Sequence, residues 1–303
     1  MHILDIDVPS GTLDGWRDIF VFPFEPLYFT PDDFALTESL PVSPRTRSTD
    51  LNFADAYWTY HVPAIATHMA LVDPETLRTH PECARIMGVQ KALGRNQLYA
   101  VDFVVQVLGS IPEPRDVFET DDGPCFALRH DVWHSLSKED QNHWLKAFIE
   151  QEREKCLSGS LKEEAWEQIE QKCSPWVREL AGTFATQSGP NCFATTLSAL
   201  ARDRQTFEAT KDLWLHPEPF FQQLQDWQYQ PEAFDAVNLP DHSALVFQDG
   251  SGKAQHACLH LTGGLVLNKD AQGWFAPRQI RTLDSLLQSW LHPDWTLQVY
   301  QHV

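Results

Sequence analysis

Apolar positions in the first part of the chain recur mostly at helical spacing, and further on they change to strict alternation. Residues 1–50 are an exception: "DIFVFPFEPLYF" mixes apolar pieces with prolines, and "LPVSPRTRSTD" (Leu40–Asp50) is turn-rich and without period, which predicts an irregular arm. Helices follow. Asp73 before Pro74 is a cap and a first helical residue, and "NQLYAVDFVVQVLG" is apolar enough for a buried helix that stops near Gly109. "SLSKEDQNHWLKAFIEQEREKCL" has Ser137 as cap, with Trp144, Phe148 and the Leu145/Ile149 pair on one face. "SLKEEAWEQIEQKCS" places Ala165, Ile169 and Cys173 at i, i+4 and i+8, and Ser174 and Pro175 open one more helix over roughly 175–185.

From Gln187 the character changes. A helix opened by Cys192 runs to about Arg202, and "EPFFQQLQDW" forms a short one after His216-Pro217. Beyond Leu239–His242 the period becomes two, in "SALVFQD", "AQHACLHLT", "GGLVLNKD" and "GWFAPRQIR", joined by Asp-Gly, Thr-Gly-Gly and Gln-Gly turns. A helix "TLDSLLQSWL" and a strand "DWTLQVYQHV" follow. Helices and then an antiparallel meander predict an α+β fold, with a mainly helical domain over 1–175, a second domain over 176–303, and a boundary near 175–187.

Composition adds that the chain is globular: 43% of its 303 residues are hydrophobic and 11 are Trp, ample for a core. Its net charge of −19 repels phosphate backbones and anionic headgroups, so nucleic acid and membrane surfaces are poor partners and a small neutral or cationic substrate fits better. "MHILDIDVPSGTLDGW" lacks the basic and apolar regions of a secretory signal, and no apolar run reaches the length of a membrane span. The six Cys contain no C-x-x-C pair, which predicts reduced thiols in a cytoplasmic protein. No cofactor is expected, and the number of copies that assemble is left open.

The second half also carries candidate chemistry. In "SGPNCFATTLSAL", Gly189 and Pro190 make a tight turn, Asn191 is a cap, and Cys192 opens a helix, where unpartnered backbone N–H groups favour a thiolate. The plain alternative is a packed core thiol. A reactive thiol needs a base and the base needs an orienting group. His256 opens a strand whose other face, Ala257, Leu259 and Leu261, is apolar. A Gly-Gly hairpin at 263–264 brings Asn268 into its neighbourhood, as a Cys-His-Asn triad requires.

With these residues in view, residues 187–303 resemble the NlpC-type cell-wall cysteine peptidases, a branch of the papain-like fold. That family has a Cys opening a helix, a "PGDLVFF"-like strand, "HVGIYLGDG" led by the His, and a polar third residue about a dozen positions on. The counterparts are "NCFATTL", "LPDHSALVFQDG", "HACLHLTGG" and "LVLNK". Asn191-Cys192-Phe193-Ala194 stands where the family has Asp-Cys-Ser-Gly. The resemblance implies a papain-like α+β domain, with Cys192 as nucleophile, His256 as base and Asn268 as orienter. By the same analogy Gln187 is an oxyanion donor. The implied activity is a cysteine amidase or peptidase acting on a small peptide-like or cell-wall-like amide. Two rivals remain: an acyltransferase using the same acyl-enzyme, and a silent interaction protein on the same scaffold.

His260, on the face of His256, is a candidate for lining the site, although a hydrogen-bonded strand histidine fits it equally. Trp274 is a candidate groove wall, and Arg278 a candidate partner for a substrate carboxylate. His130 and His134 stand at i, i+4, but without a third ligand no metal site is expected.

Overall fold

A computed structural model of the chain describes residues 1–45, 62–151 and 153–303. It is mixed α/β with antiparallel sheets, in two compact units. One is Pro9–Gln151; the other joins Met1–Val8 to Glu152–Val303. No helix among the described residues is long and apolar enough to cross a membrane.

The division therefore falls about 25 residues ahead of the predicted boundary. The reason lies in the helices Glu163–Lys172 and Trp176–Leu180. Trp166, Ile169, Cys173, Val177 and Leu180 are buried with the sheet residues of the second unit, so the helices belong to that core. A hairpin of β1 (His2–Ile3) and β2 (Ile6–Asp7) joins the same unit, where the Leu4 carbonyl accepts the Cys156 N–H at 2.9 Å.

The Pro9–Gln151 unit is less purely helical than predicted. It holds a three-stranded sheet of β3 (Glu25–Phe29), β4 (Ser43–Pro44) and β5 (His68–Val72), ordered β3-β5-β4. A second, ordered β6-β8-β7, is made of β6 (Leu98–Ala100), β7 (Val117–Thr120) and β8 (Gly123–Ala127). The predicted caps hold: Asp73 accepts from Glu75 and Thr76, Ser137 from Asp140, and Gly109 ends its helix at φ 78°. In the Leu40–Asp50 stretch, Ser43–Pro44 pairs as β4 where an irregular arm was expected, and residues 46–50 lie outside the described residues. His130 and His134 meet edge-to-face at 4.2 Å, and no group of three metal-ligating side chains exists among the described residues.

The second unit is built on a six-stranded antiparallel sheet ordered β13-β12-β11-β10-β14-β9. Its strands are β9 (Tyr229–Ala233), β10 (Ser243–Gln248), β11 (Ala254–His260), β12 (Leu265–Asn268), β13 (Gln279–Thr282) and β14 (Thr296–His302). The predicted meander is β10 to β13, and Gly263 and Gly264, both at positive φ, make its tight turn. β9 was not anticipated, since Pro231 interrupts it; as an edge strand it tolerates the missing N–H. In "GWFAPRQIR" only Gln279–Thr282 is strand, and 270–278 is irregular.

Alternation gives the sheet two faces. Ala244, Val246, Ala257, Leu259, Leu267 and Ile280 pack with the Glu163–Lys172, Trp176–Leu180, Cys192–Leu200 and Pro217–Asp226 helices. Leu245, Phe247, Cys258, Val266 and Val299 pack with Leu283 and Leu286 of the helix Leu283–Trp290. The Cys192–Leu200 helix is buried around its whole circumference. Two of its three hydroxyls bond back to the helix, Thr196 to the Cys192 carbonyl (2.9 Å) and Ser198 to that of Thr195 (3.0 Å), while Thr195 Oγ1 has no partner among the described residues.

One polar cluster in the Pro9–Gln151 unit dominates its electrostatics. Asp116, fully buried, receives Arg78 at 2.5 Å and Arg129 at 2.7 Å, and the buried Glu25 receives Arg95 at 2.6 Å. Without the carboxylate, the fully buried Arg129 would keep only Glu25 at 3.9 Å, and Arg78 would keep the more exposed Asp131 at 2.6 Å. Asp116→Ala should therefore cost roughly 3–5 kcal/mol in urea unfolding of the full chain, far above a surface pair. A loss under about 1 kcal/mol would show that the cluster is not a buried ion network.

Candidate active site

The turn ahead of Cys192 is shaped by Gly189, whose φ of 127° suits glycine, and whose N–H donates to the Gln272 carbonyl at 3.0 Å. Asn191 then caps the helix as predicted: Oδ1 accepts the Ala194 N–H at 3.1 Å, and Nδ2 donates to the Leu215 carbonyl at 2.7 Å. Cys192 is the first helical residue, and it is buried. Burial pushes its thiol up to about 11; the N–H groups of Ala257 and Phe193 and the charge of Lys269 act in the opposite direction. At neutral pH the resting side chain is a thiol.

His256 follows a β-bulge. Phe247 pairs with His256 but Gln248 pairs with Ala254, so Gln255 is the extra residue that resets the alternation. The ring is fully buried, stacked on Trp290 (3.7 Å between centroids, 6° between planes) with Phe247 alongside. Its Nε2 meets Asn268 Oδ1 at 2.6 Å.

The protonation pattern follows from what lies behind the amide. Asn268 Nδ2 donates to Asp270 Oδ1 at 2.7 Å, and because a carboxylate only accepts, the amide nitrogen must face Asp270 and the oxygen must face the imidazole. Nε2 therefore carries the hydrogen, and in the neutral ring Nδ1 holds a lone pair. Nδ1 is buried and has no hydrogen-bond partner among the described residues. Burial keeps His256 below its ordinary value, with the Asp270 charge and the Asn268 bond opposing. Burial works against the Asp270 charge too, but His256, Arg281, the Trp290 N–H (3.2 Å) and Asn268 together hold the carboxyl below the usual range.

His256 and Asn268 are thus brought together as predicted. Cys192 is near this pair without being bonded to it. The imidazole and the amide stand on the sheet face of Phe247 and Cys258, whereas Cys192 belongs to the core on the other face and its sulfur meets the N–H of Ala257, the residue next to His256. No thiol–imidazole hydrogen bond is formed.

The remaining candidates are placed as follows. Gln187 is exposed on the turn before the Cys192–Leu200 helix. His260 is a hydrogen-bonded strand histidine, its Nδ1–H donating to the Pro240 carbonyl at 2.7 Å. Trp274 is fully buried edge-on against Phe275 (5.1 Å), which rules out an exposed groove wall. Arg278 is buried and committed to the Lys211 carbonyl (2.6 Å) and Asp212 (3.1 Å), so it is not open to a substrate carboxylate.

Sequence reasoning missed Asp270, Trp290, Arg281 and Lys269. Asp270 was accessible only as a carboxylate two residues beyond Asn268; β12 ends at Asn268, so its placement depends on the irregular segment that follows. Trp290 comes from the end of a separate helix, and no spacing announces it. A cavity of about 320 Å³, lined by Arg153, Glu154, Asp270, Arg281, Ser289 and Trp290, adjoins the outer side of the cluster. Comparison of the chain with family models, curated proteins and solved structures finds no match.

The tautomer can be read by nitrogen NMR of the histidine rings. At about pH 6, below the ordinary histidine value, His256 should still be neutral with its hydrogen on Nε2. An imidazolium signal, or hydrogen on Nδ1, would contradict the assignment. Because the folded pKa is depressed, the stability that His256 contributes is present above the ordinary histidine range and is lost as pH falls through the folded value.

Proposed function

We propose that the C-terminal unit is a papain-like cysteine hydrolase acting on an amide, with Cys192 as nucleophile, His256 as base and Asn268 as orienter. The observation that carries this reading is the 2.6 Å bond from Asn268 to His256 Nε2, which leaves a buried Nδ1 lone pair one residue from the backbone N–H that meets the thiol. A lone pair stripped of water and of partners costs about 1–3 kcal/mol in a core, and a catalytic base is a reason to keep it.

The chemistry starts from a thiol and a neutral imidazole, since burial opposes charge on both. The step requires the Cys192 side chain to turn out of the helix-side core to the imidazole, whose Nδ1 then takes the thiol proton as sulfur attacks the carbonyl carbon. The oxyanion is held by backbone N–H groups at the helix start, with Gln187 at hand on the turn. Collapse breaks the C–N bond, and the proton on Nδ1 leaves with the amine. A water, deprotonated by the same nitrogen, cleaves the thioester and restores the thiol. The charge of −19 favours a small neutral or cationic substrate.

A silent scaffold is the second reading, favoured by the burial of Cys192 and the missing thiol–imidazole bond. A peptide-like acylating probe separates the two. In an active protein it labels Cys192, and His256→Ala slows labelling roughly 10²–10⁴-fold. Labelling no faster than that of a denatured-state thiol, and indifferent to His256→Ala, would establish the scaffold. Release of the acyl group faster by added amines than by water would make the enzyme a transferase.

A further inference from the structure

We infer that Lys269 is a positioning residue for Cys192: its ammonium, sealed in the core, ties residues 271–276 into a loop that holds the turn presenting the thiol. The inference rests on the proposed role of Cys192.

Lys269 has no exposed surface, and its Nζ lies 2.6 Å from the Ala271 carbonyl, 2.9 Å from that of Gly273 and 2.6 Å from that of Ala276. Three acceptors need three donors. An ammonium supplies them, whereas a neutral amine has two N–H bonds and would turn its lone pair on one carbonyl oxygen. Burial pushes the lysine well below its ordinary value, and the carbonyl cage favours the charged form.

What the cage holds is a loop with a second attachment. Between two of the tethered carbonyls, the Gln272 carbonyl accepts the Gly189 N–H at 3.0 Å, and Gly189 precedes Cys192 by three residues. The bonds run from ammonium to loop to turn to nucleophile. Alternation also sets the side chain on the right face. Asn268 points with His256, and Lys269, the next residue, follows Leu267 toward the core that contains Cys192. Neighbouring residues thus serve the two halves of the site, one orienting the imidazole and the other the thiol. The charged and titratable groups that Lys269 feels are Arg278, Asp270, Arg153 and Cys192 itself, whose thiol its charge favours as thiolate.

A packing lysine and a positioning lysine differ in what they do to one thiol. Lys269→Met keeps the chain length and removes the charge and the three donors. In folded full-length protein, iodoacetamide alkylation of Cys192, followed by mass spectrometry from pH 6 to 10, should slow about tenfold or more throughout, since this range lies wholly below the thiol's value of about 11. Cys173 and Cys258 should keep their rates. Unchanged or faster alkylation of Cys192 in the folded variant overturns the inference. If Lys269→Met does not fold, nitrogen NMR of the wild-type lysine decides: an ammonium at about pH 7 upholds the cage, and a neutral amine overturns it. His256→Ala keeps the two readings apart. If the acylating probe ignores that substitution while Lys269→Met still slows alkylation, the hydrolase reading fails and the positioning role stands.

Discussion

The arrangement of the C-terminal unit depends on one amide with no freedom to turn. Asn268 sits between a carboxylate that can only accept and an imidazole that must then donate; the imidazole is fully buried and the carboxylate partly so. Reversing the amide would set its oxygen against the Asp270 carboxylate and its N–H₂ against Nε2, losing both bonds inside the core. The same constraint orders the helix Leu283–Trp290, since the Trp290 indole both stacks on the imidazole and donates to Asp270. Arg281, on β13, closes the arrangement by sitting at 3.5 Å from that carboxylate and bonding Ser285 and Ser289 of the helix.

Such a concentration of polar groups is costly in a sheet core and is tolerable only when nearly every donor and acceptor is matched. Here the matching is uneven in an informative way. Lys269 meets three carbonyls, Asp270 collects three donors, and Arg278 is spent on a carbonyl and a carboxylate. Among the described residues the Nδ1 of His256 stands outside this accounting, as do Arg278 Nε and Thr195 Oγ1, and of these three only the imidazole nitrogen can take up a proton near neutral pH.

Much of this organisation was legible in the sequence because it follows from periodicity. The meander, the Gly-Gly hairpin, the Asn191 cap and the meeting of His256 with Asn268 are all consequences of spacing, twist and turn chemistry. The misread parts depend on tertiary choices. Trp274 looked like a groove wall and Arg278 like a substrate partner because nothing local announces that 270–278 folds inward around a lysine. The domain boundary was set too late because a helix at 163–172 reads the same whichever core it joins. The bulge at Gln255 was equally invisible; it turns Ala254 to the face opposite His256, whose own face follows from its alternation with Cys258.

The β1–β2 hairpin carries a consequence for how the molecule is made. Residues 1–8 belong to a unit whose other residues begin only after 151, so the Pro9–Gln151 unit is an insertion between two parts of its neighbour. During synthesis at ~5–20 residues per second, the hairpin waits roughly ten to thirty seconds for the segment that covers it. The inserted unit is complete first, and Ile3, Leu4 and Ile6, all buried in the finished protein, spend that interval without their final neighbours. A shortened gene starting at 152 would make a sheet without its hairpin, and a chain with 9–151 excised and residue 8 linked to 152 would be the more faithful way to isolate it.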